Sequence, residues 1–359
     1  MTGQPHRGAV TVKNWVVLLA IIVVASMIGI VFMLALNWFP EQGSNVAPEI
    51  DTFWDVLVIV SVPIFVAVTT VMLFSIWRWR QRPGEEDLDG PPIHGSTKLE
   101  VIWTIIPTII IAALTTYAAI LLVDIQAAPA KGTRVVNVNG VQFAWDFETQ
   151  TPDGPVKSPK LYLPINEPVK FNVRSKDVIH DFWVPAFRLK VDAVPGITTS
   201  YNLTPTKLGT FDVVCAELCG LGHAYMRQTV TVMTAEGYAS MMAKLAKASS
   251  APVAASGSDG IGKQMFVAGN PATGATACGA CHTMEAAGTT GVTGPNLDKE
   301  LKADNASVAD IIEMIVDPNK EITKGYSKGI MPADYGKTLT KSQLDALAEY
   351  IYESVQGKA

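Results

Sequence analysis

The chain has 359 residues, enough for two or three domains, and 48% of them are hydrophobic. Its mean hydropathy of +0.25 is high for a water-soluble protein. The net charge of −5 and the lack of any basic stripe in the sequence argue against nucleic acid as a partner.

Three uncharged apolar runs near the N-terminus account for the high hydropathy. They contain 22, 22 and 23 residues and span Trp15–Leu36, Val56–Trp77 and Val101–Val123. A helix of that length crosses the roughly 30 Å hydrocarbon layer of a membrane. The sequence therefore predicts a membrane region over residues 1–127, with helices at about 15–38, 53–77 and 101–123.

Basic residues flank the first two runs, and the positive-inside rule places them on the cytoplasmic side. They are His6, Arg7 and Lys13 before the first run, and Arg78, Arg80 and Arg82 after the second. Everything after about Ala127 is then expected on the outer face of the membrane. The first run also has an interpretation as a cleaved signal peptide, which leaves this orientation unchanged.

From Arg134 the pattern changes to short alternating segments. Val169–Val173 and Thr229–Val232 alternate apolar and polar side chains with a period of two, as half-buried strands do. Proline and glycine interrupt the region at short intervals, for example in Pro152-Asp-Gly154. The pattern predicts an all-β sandwich or small barrel over residues 128–240, a frame that can present ligands on its loops.

Four cysteines form two close pairs, and the first pair lies within the 12 residues of Cys215–Met226. This segment also contains an imidazole and a thioether, and His180 lies upstream of it. Soft thiolates select copper(I), zinc or iron–sulfur clusters. Two thiolates can bridge two copper ions, each of which then takes one histidine. The ligands would be His180, Cys215, Cys219 and His223, with Met226 and the backbone carbonyl of Glu217 as weak axial groups.

Two other interpretations of this segment stay open. A Cys2His2 zinc site uses the same four side chains, and a disulfide is the usual fate of paired cysteines in an exported domain. The thioether of Met226 and the predicted β frame favour copper over both.

Residues 241–258 are rich in alanine, serine and lysine, which is typical of a helix end that continues into a flexible tether. The domain after it, 259–359, contains the second cysteine pair in Cys278-Gly-Ala-Cys281-His282. This is the attachment motif of c-type heme, in which both thiols bond to the porphyrin and the histidine binds iron. Gly294-Pro-Asn-Leu297 is similar to the loop of class I cytochromes c whose proline carbonyl orients that histidine.

The second axial ligand of such a heme must follow the attachment motif, and the sequence has no histidine after His282. Met284 is too close to reach the other face of the ring, and Met314 lies in a helical pattern. Met331, in a loop before Pro332, is the expected ligand, and a thioether there raises the heme potential. The expected helices of this domain include 261–268 and 341–355.

Several stretches together resemble subunit II of the heme-copper cytochrome c oxidases, over roughly residues 50–235. They are Lys98–Pro107, Asp177–His180 with Val184–Gly196, and Cys215–Met226. The resemblance implies a multidomain chain. Its parts would be N-terminal transmembrane helices, an all-β cupredoxin-like sandwich or barrel, and a C-terminal all-α class I cytochrome c.

The resemblance also implies roles for individual residues. The copper ligands named above would form CuA, the binuclear centre that takes the first electron. The side chain of Glu217 would reach a magnesium ion at the boundary with subunit I. Glu100 matches a carboxylate at the mouth of a proton-uptake path, although a solvated interfacial carboxylate is an open alternative. Phe143 stands where family members that dock soluble cytochrome c have their electron-entry tryptophan, while Trp145 remains.

Three of the five histidines are assigned in this way, and His6 and His94 are too few to hold two further hemes and a copper ion. The chain is thus expected to pass electrons from its own heme c to CuA and on to a low-spin heme of subunit I. There, oxygen would be reduced to water with proton pumping.

The expected partners are subunit I, further membrane subunits, membrane lipid, and a cytochrome c or bc-type complex as donor. The expected location is the inner membrane of a bacterium, with the copper and heme domains on the periplasmic face. A CuA-type nitric oxide reductase is an alternative function. Nitrous oxide reductase needs many more histidines, a quinol oxidase subunit lacks the copper ligands, and a copper chaperone or redox sensor does not need heme c.

Overall fold

The computed structural model describes residues 10–81, 83–84, 95–127, 132–250, 258–270 and 275–357. Outside these residues lie His6, Arg7, Arg82, His94 and the part of the predicted tether over 251–257. The chain folds as two units, Met1–Phe39 with Pro48–Asp124, and Pro40–Ala47 with Ile125–Ala359.

Long helices make up most of the first unit, and they confirm the prediction of three apolar helices. They are α1 (Val12–Leu34), α2 (Ala47–Trp79) and α3 (Thr97–Ile125). Phe53 of α2 meets Tyr117 of α3 edge to face, with ring centroids 5.1 Å apart. Most apolar side chains of the three helices are nevertheless exposed, and each helix is long and apolar enough to cross a membrane. Such a surface is stable only where lipid or other apolar chains cover it.

The second unit begins with short strands, as the alternation predicted. They are β1 (Arg134–Val141), β2 (Ala144–Thr151), β3 (Gly154–Ser158), β4 (Leu161–Pro164), β5 (Val169–Ser175), β6 (His180–Val184), β7 (Leu189–Ala193), β8 (Thr199–Leu203), β9 (Gly209–Cys215) and β10 (Arg227–Met233). One sheet has the order β3-β2-β1-β5-β8 and the other the order β4-β10-β9-β6-β7. The pairs β1–β5 and β4–β10 are parallel, while the remaining pairs of these sheets are antiparallel.

The core of this sandwich follows the alternation along each strand. Val169, Phe171 and Val173 of β5 are fully buried, whereas the residues between them are half-buried. Phe182 of β6 meets Phe171 with ring centroids 5.9 Å apart. Burial of an apolar side chain of this size stabilises the folded state by about 1.5–3 kcal/mol. The two sheets therefore form the rigid frame that the predicted loop ligands need.

The thiol-rich segment lies at one end of the three neighbouring strands β6, β9 and β10. The strand β9 ends at Cys215, β10 begins at Arg227, and the loop between them contains a short 3-10 turn at His223–Tyr225. In β6, which pairs with β9, Phe182 lies opposite Cys215, so His180 lies near the same end of the sheet. The antiparallel register brings together residues that are far apart in sequence.

Helices make up most of the rest of the second unit. They are α4 (Ala235–Ser250), α5 (Ser258–Ala268), α6 (Leu297–Ala303), α7 (Val308–Val316), α8 (Tyr335–Thr338) and α9 (Lys341–Val355). The two strands β11 (Thr283–Met284) and β12 (Thr289–Thr290) form a small hairpin. The predicted helices over 261–268 and 341–355 are confirmed by α5 and α9. A capping box of Thr340 and Gln343 begins α9.

The predicted tether begins as part of α4. Tyr238 and Met242 of this helix are buried against Val156 of the sandwich. These contacts anchor the first half of α4, and the alanine and lysine residues that follow favour helix as far as Ser250.

Candidate metal and heme centres

The loop between β9 and β10 brings the predicted copper ligands together. Nδ1 of His180 lies 3.9 Å from Sγ of Cys215, and Nδ1 of His223 lies 3.6 Å from Sγ of Cys219. The two sulfurs are 3.8 Å apart. The sequence thus folds into two thiol–imidazole pairs whose sulfurs face each other.

Each thiol–imidazole pair has one further group beside it that could act as a weak metal ligand. The thiol of Cys215 donates to the backbone carbonyl of Glu217 over 3.3 Å. On the other side, Sγ of Cys219 lies 3.9 Å from Sδ of Met226, which is fully buried. Soft sulfur and imidazole donors in this arrangement fit a copper pair with two bridging thiolates. Among the described residues, His180, Cys215 and Cys219 are the group whose ligand atoms all lie within 4.8 Å of one another.

Asp177 fixes the orientation of the buried His180 ring. Nε2 of His180 lies 2.9 Å from Oδ1 of Asp177, so Nε2 carries the proton and Nδ1 is left to face Cys215. The carboxylate also accepts from the backbone N–H groups of Gln142 and Val178, both over 2.7 Å. Burial opposes ionisation of Asp177, but these hydrogen bonds outweigh it and lower its pKa. This role of Asp177 is not among the sequence predictions, although the Asp-x-x-His spacing is a local signal for it.

The four thiols differ in how readily they ionise. Burial opposes ionisation of Cys215, yet its hydrogen bonds with His180 and with the backbone lower its pKa to about 7. Burial and the neighbouring Cys215 raise the pKa of Cys219 to about 12. In the second pair, burial raises the pKa of both Cys278 and Cys281 to about 12. A thiolate that forms readily at Cys215 suits a metal ligand.

The aromatic residues predicted near the electron path lie against the copper loop. Phe143 is buried, and its ring covers Gly222, where a Cβ would collide with the ring. Trp145 is buried beside His180, with ring centroids 5.9 Å apart and an interplanar angle of 64°. The preceding Gln142 donates from Nε2 to the carbonyl of Cys219 over 2.6 Å, which ties this turn to the loop. No local signal in the sequence indicates the contact made by Gln142.

The two carboxylates outside the copper pair are both exposed. The side chain of Glu217 is exposed, while its backbone carbonyl accepts from the thiol of Cys215. Glu100 lies exposed in the first turn of α3, in the other folding unit. Their predicted roles concern other subunits and protons, so both stay predictions.

The second cysteine pair and its histidine form a different type of site. Cys278 begins a short 3-10 turn, and Nδ1 of His282 donates to the carbonyl of Pro295 over 2.9 Å. Burial lowers the pKa of His282, so the ring is neutral and Nε2 keeps a lone pair for iron. Gly294 leaves no room for a side chain, since a Cβ there would lie 2.5 Å from Cε1 of His282. The residues present therefore fit a covalently attached heme.

Met331 lies in the loop between α7 and α8. It is half-buried and packs against the apolar core formed by Phe266, Leu347 and their neighbours. Nearby, Asn319 accepts a hydrogen bond from the N–H of Gly329 over 2.8 Å and so shapes the loop. Met284, by contrast, is fully buried in the core and Met314 lies largely at the surface. The assignment of Met331 as the sixth iron ligand stays a prediction.

The support of His180 leads to a prediction for Asp177→Asn. An amide can replace only one of the two carboxylate oxygens, so His180 or the N–H of Gln142 loses its acceptor. We expect the affinity for copper to fall about 10- to 100-fold, the usual effect of losing such a support. Copper titration of the metal-free chain against a competing chelator measures this affinity. Asp153→Asn, at an exposed turn, is the matched control, and equal affinities for the two variants would contradict the prediction.

Sequence profiles of known families match three parts of the chain. The transmembrane domain of "Cytochrome C oxidase subunit II" matches residues 32–121, and the periplasmic domain of the same family matches 156–233. The profile "Cytochrome c" matches residues 262–354. These ranges cover α2 with most of α3, the sandwich from β3 to β10, and the last helical region from α5 to α9.

The sequences of individual proteins give the same result. Cytochrome c oxidase subunit 2 of Thermostichus vulcanus is 33% identical over 266 residues, which are 60% of this chain and 80% of that protein. The subunit 2 of Bacillus sp. (strain PS3) is 33% identical over 298 residues, 76% of this chain and 79% of that protein. The solved periplasmic domain of subunit II from Bradyrhizobium japonicum has 27% identity and a TM-score of 0.32, covering 33% of this chain and 98% of that domain. From the sequence matches, the chain belongs to the cytochrome c oxidase subunit II family and carries an additional C-terminal cytochrome c domain.

Proposed function

We propose that the chain is the electron-entry subunit of a membrane-bound terminal oxidase. One observation carries the proposal: two thiol–imidazole pairs lie at the end of a rigid sheet with their sulfurs 3.8 Å apart. Two copper ions held by these pairs would supply a one-electron redox couple on a rigid frame. Membership of the subunit II family supports the same function.

Six groups of the sandwich would hold the copper pair. They are His180, Cys215, the carbonyl of Glu217, Cys219, His223 and Met226. When bound, the copper pair supplies a one-electron redox couple. The chain itself supplies rigidity, because Asp177 fixes the buried His180 and Gln142 holds the loop at the carbonyl of Cys219.

The last domain would hold a heme c. Cys278 and Cys281 would be the points of covalent attachment, and His282 and Met331 the axial ligands. When bound, the heme supplies a second one-electron couple. The contribution of the chain is again orientation, because the carbonyl of Pro295 holds His282 with Nε2 free.

Electrons would enter at the last domain, pass to the copper loop and leave for subunit I, where oxygen is reduced to water with proton pumping. The catalytic site thus lies in another subunit. A donor and an acceptor in one chain meet at high effective concentration, which replaces docking from solution. Phe143 and Trp145 would lie along this path, since one covers the copper loop and the other contacts His180. A cytochrome c or a bc-type complex would be the external donor.

The proposed location is the inner membrane of a bacterium, with the copper and heme domains on the outer face. Subunit I and further membrane subunits would cover the exposed apolar helices. The exposed carboxylate of Glu217 would bind a magnesium ion at the boundary with subunit I. Glu100 would lie at the mouth of a proton-uptake path.

Purification of the intact complex through a tag on this chain tests the function. The reduced complex is offered oxygen or nitric oxide, and consumption of each gas is recorded together with the heme c absorbance. We expect oxygen consumption with oxidation of heme c. Consumption of nitric oxide without consumption of oxygen would reject the oxidase and identify a CuA-type nitric oxide reductase instead.

A further inference from the structure

The heme-binding loop and the copper-binding loop are joined directly by one hydrogen bond. Oγ1 of Thr293 donates to the backbone carbonyl of Tyr225 over 2.6 Å. Thr293 is only 1% exposed, although it lies in a loop between two domains. A buried hydroxyl of this kind is costly unless it has a partner, so this hydrogen bond determines how the two loops meet.

Both ends of this bond are close to ligand residues. On the heme side, the N–H of Gly294 donates to the carbonyl of Cys281 over 2.8 Å, and Pro295 accepts from His282. On the copper side, Tyr225 ends the 3-10 turn that His223 begins. The hydrogen bond therefore connects the backbone segments that orient the predicted ligands of the two centres.

Other contacts surround this hydrogen bond. The rings of Tyr225 and Tyr326 lie with centroids 6.5 Å apart at an angle of 37°. A Cβ on Gly329 would lie 3.6 Å from Leu221 of the copper loop. Thr293 is thus part of a larger interface between the cytochrome domain and the sandwich.

A second area of contact lies at the strand β2. Trp145 and Lys176 of the sandwich line a cavity of about 80 Å³ together with Asn270 and Ala277 of the cytochrome domain. Two separate areas of contact limit rotation of the domains against each other. The hydrogen bond at Thr293 lies in the area of contact that touches the ligand loops of both centres.

We propose that Thr293 is a positioning residue that holds the heme-binding loop against the copper-binding loop in the arrangement that transfers electrons. This inference rests on the proposed function. In the transfer, one electron leaves the heme side and one arrives at the copper side. The hydroxyl proton stays on Thr293, so no proton acceptor is needed.

Three variants of the full chain in the intact complex test the inference. Thr293→Val keeps the shape of the side chain and removes the hydroxyl, whereas Thr293→Ser keeps the hydroxyl. Thr290→Val, at an exposed position of β12, is the control for the same chemical change. The rate of electron transfer from heme c to copper is followed optically after rapid reduction, together with the heme spectrum and the redox potentials of both centres.

The loss of a buried hydrogen bond should lower the internal transfer rate in Thr293→Val about fivefold or more. The spectra and potentials should stay as in the parent, and Thr293→Ser should restore most of the rate. Hydrogen exchange of the purified chain gives a readout that needs no turnover. We expect Thr293→Val, but not Thr290→Val, to lower amide protection in residues 291–296 and 222–227.

The outcomes separate a failure of the inference about Thr293 from a failure of the proposed function. Internal transfer in the parent with an equal rate in Thr293→Val would overturn the inference and leave the proposed function standing. Absence of internal transfer in the parent would overturn both. A slower rate in Thr293→Val that is accompanied by an altered heme spectrum would also overturn the inference, since Thr293 would then act on heme binding itself.

Discussion

Replacement of Cys215 by serine is expected to abolish the two-copper site. Sγ of Cys215 lies at the centre of the ligand group, 3.9 Å from Nδ1 of His180 and 3.8 Å from Sγ of Cys219. Its pKa of about 7 means that the thiolate forms near neutral pH. A serine hydroxyl does not ionise there and is a hard donor, so it cannot bridge two copper ions.

The measurement is the ratio of copper and of covalent heme to protein. The parent should contain two copper ions and one heme per chain, as the bridging arrangement requires. Cys215→Ser should contain at most one copper ion and still one heme, because the heme motif lies in another domain. A variant that kept two copper ions would contradict the bridging role. One zinc ion in the parent would instead favour the Cys2His2 interpretation.

Much of this centre could be predicted because its ligands are local in sequence. Cys215, Cys219, His223 and Met226 all lie in one loop, so their spacing alone indicates a soft-metal site. His180 comes from 35 residues upstream, and its position depends on the pairing of β6 with β9. The alternation of apolar residues predicted strands, but not which strands are neighbours.

The supporting contacts could not be predicted, because they depend on tertiary packing. Gln142 reaches the carbonyl of Cys219 from 77 residues away, through the turn between β1 and β2. Thr293 meets Tyr225 across 68 residues and two domains. A single polar residue in a loop carries no local signal for such a partner.

The composition of residues 241–258 does not predict where the helix α4 ends. Serine after residue 241 favours flexible chain, whereas alanine and lysine favour helix. Burial of Tyr238 and Met242 against the sandwich anchors α4, which continues to Ser250. The anchoring contacts depend on tertiary packing, which the composition does not contain.

Loss of the second cysteine pair is expected to remove the heme and leave the copper site intact, which is the reverse of the result expected for Cys215→Ser. In the double variant Cys278→Ser with Cys281→Ser, no thiol remains to bond to the porphyrin, so covalent heme should disappear. Copper should stay at two ions per chain, because its ligands belong to the sandwich. Heme staining after denaturing electrophoresis and metal analysis measure the two contents.

Oxidation of an external donor by this variant should then fall about a hundredfold or more. A linked donor gains about that factor from its effective concentration, and the variant lacks the heme that would receive the electron. The copper loop cannot easily take over this role, since Phe143 covers Gly222 and the cytochrome domain contacts Tyr225.

Deletion of residues 250–359 should give the same loss of heme absorbance, but it also uncovers the copper loop. A faster donor reaction in the deletion than in the double variant would show that the cytochrome domain shields the copper loop. Unchanged donor oxidation in both would mean that electrons enter at copper directly, and the fused heme would then lie outside the path.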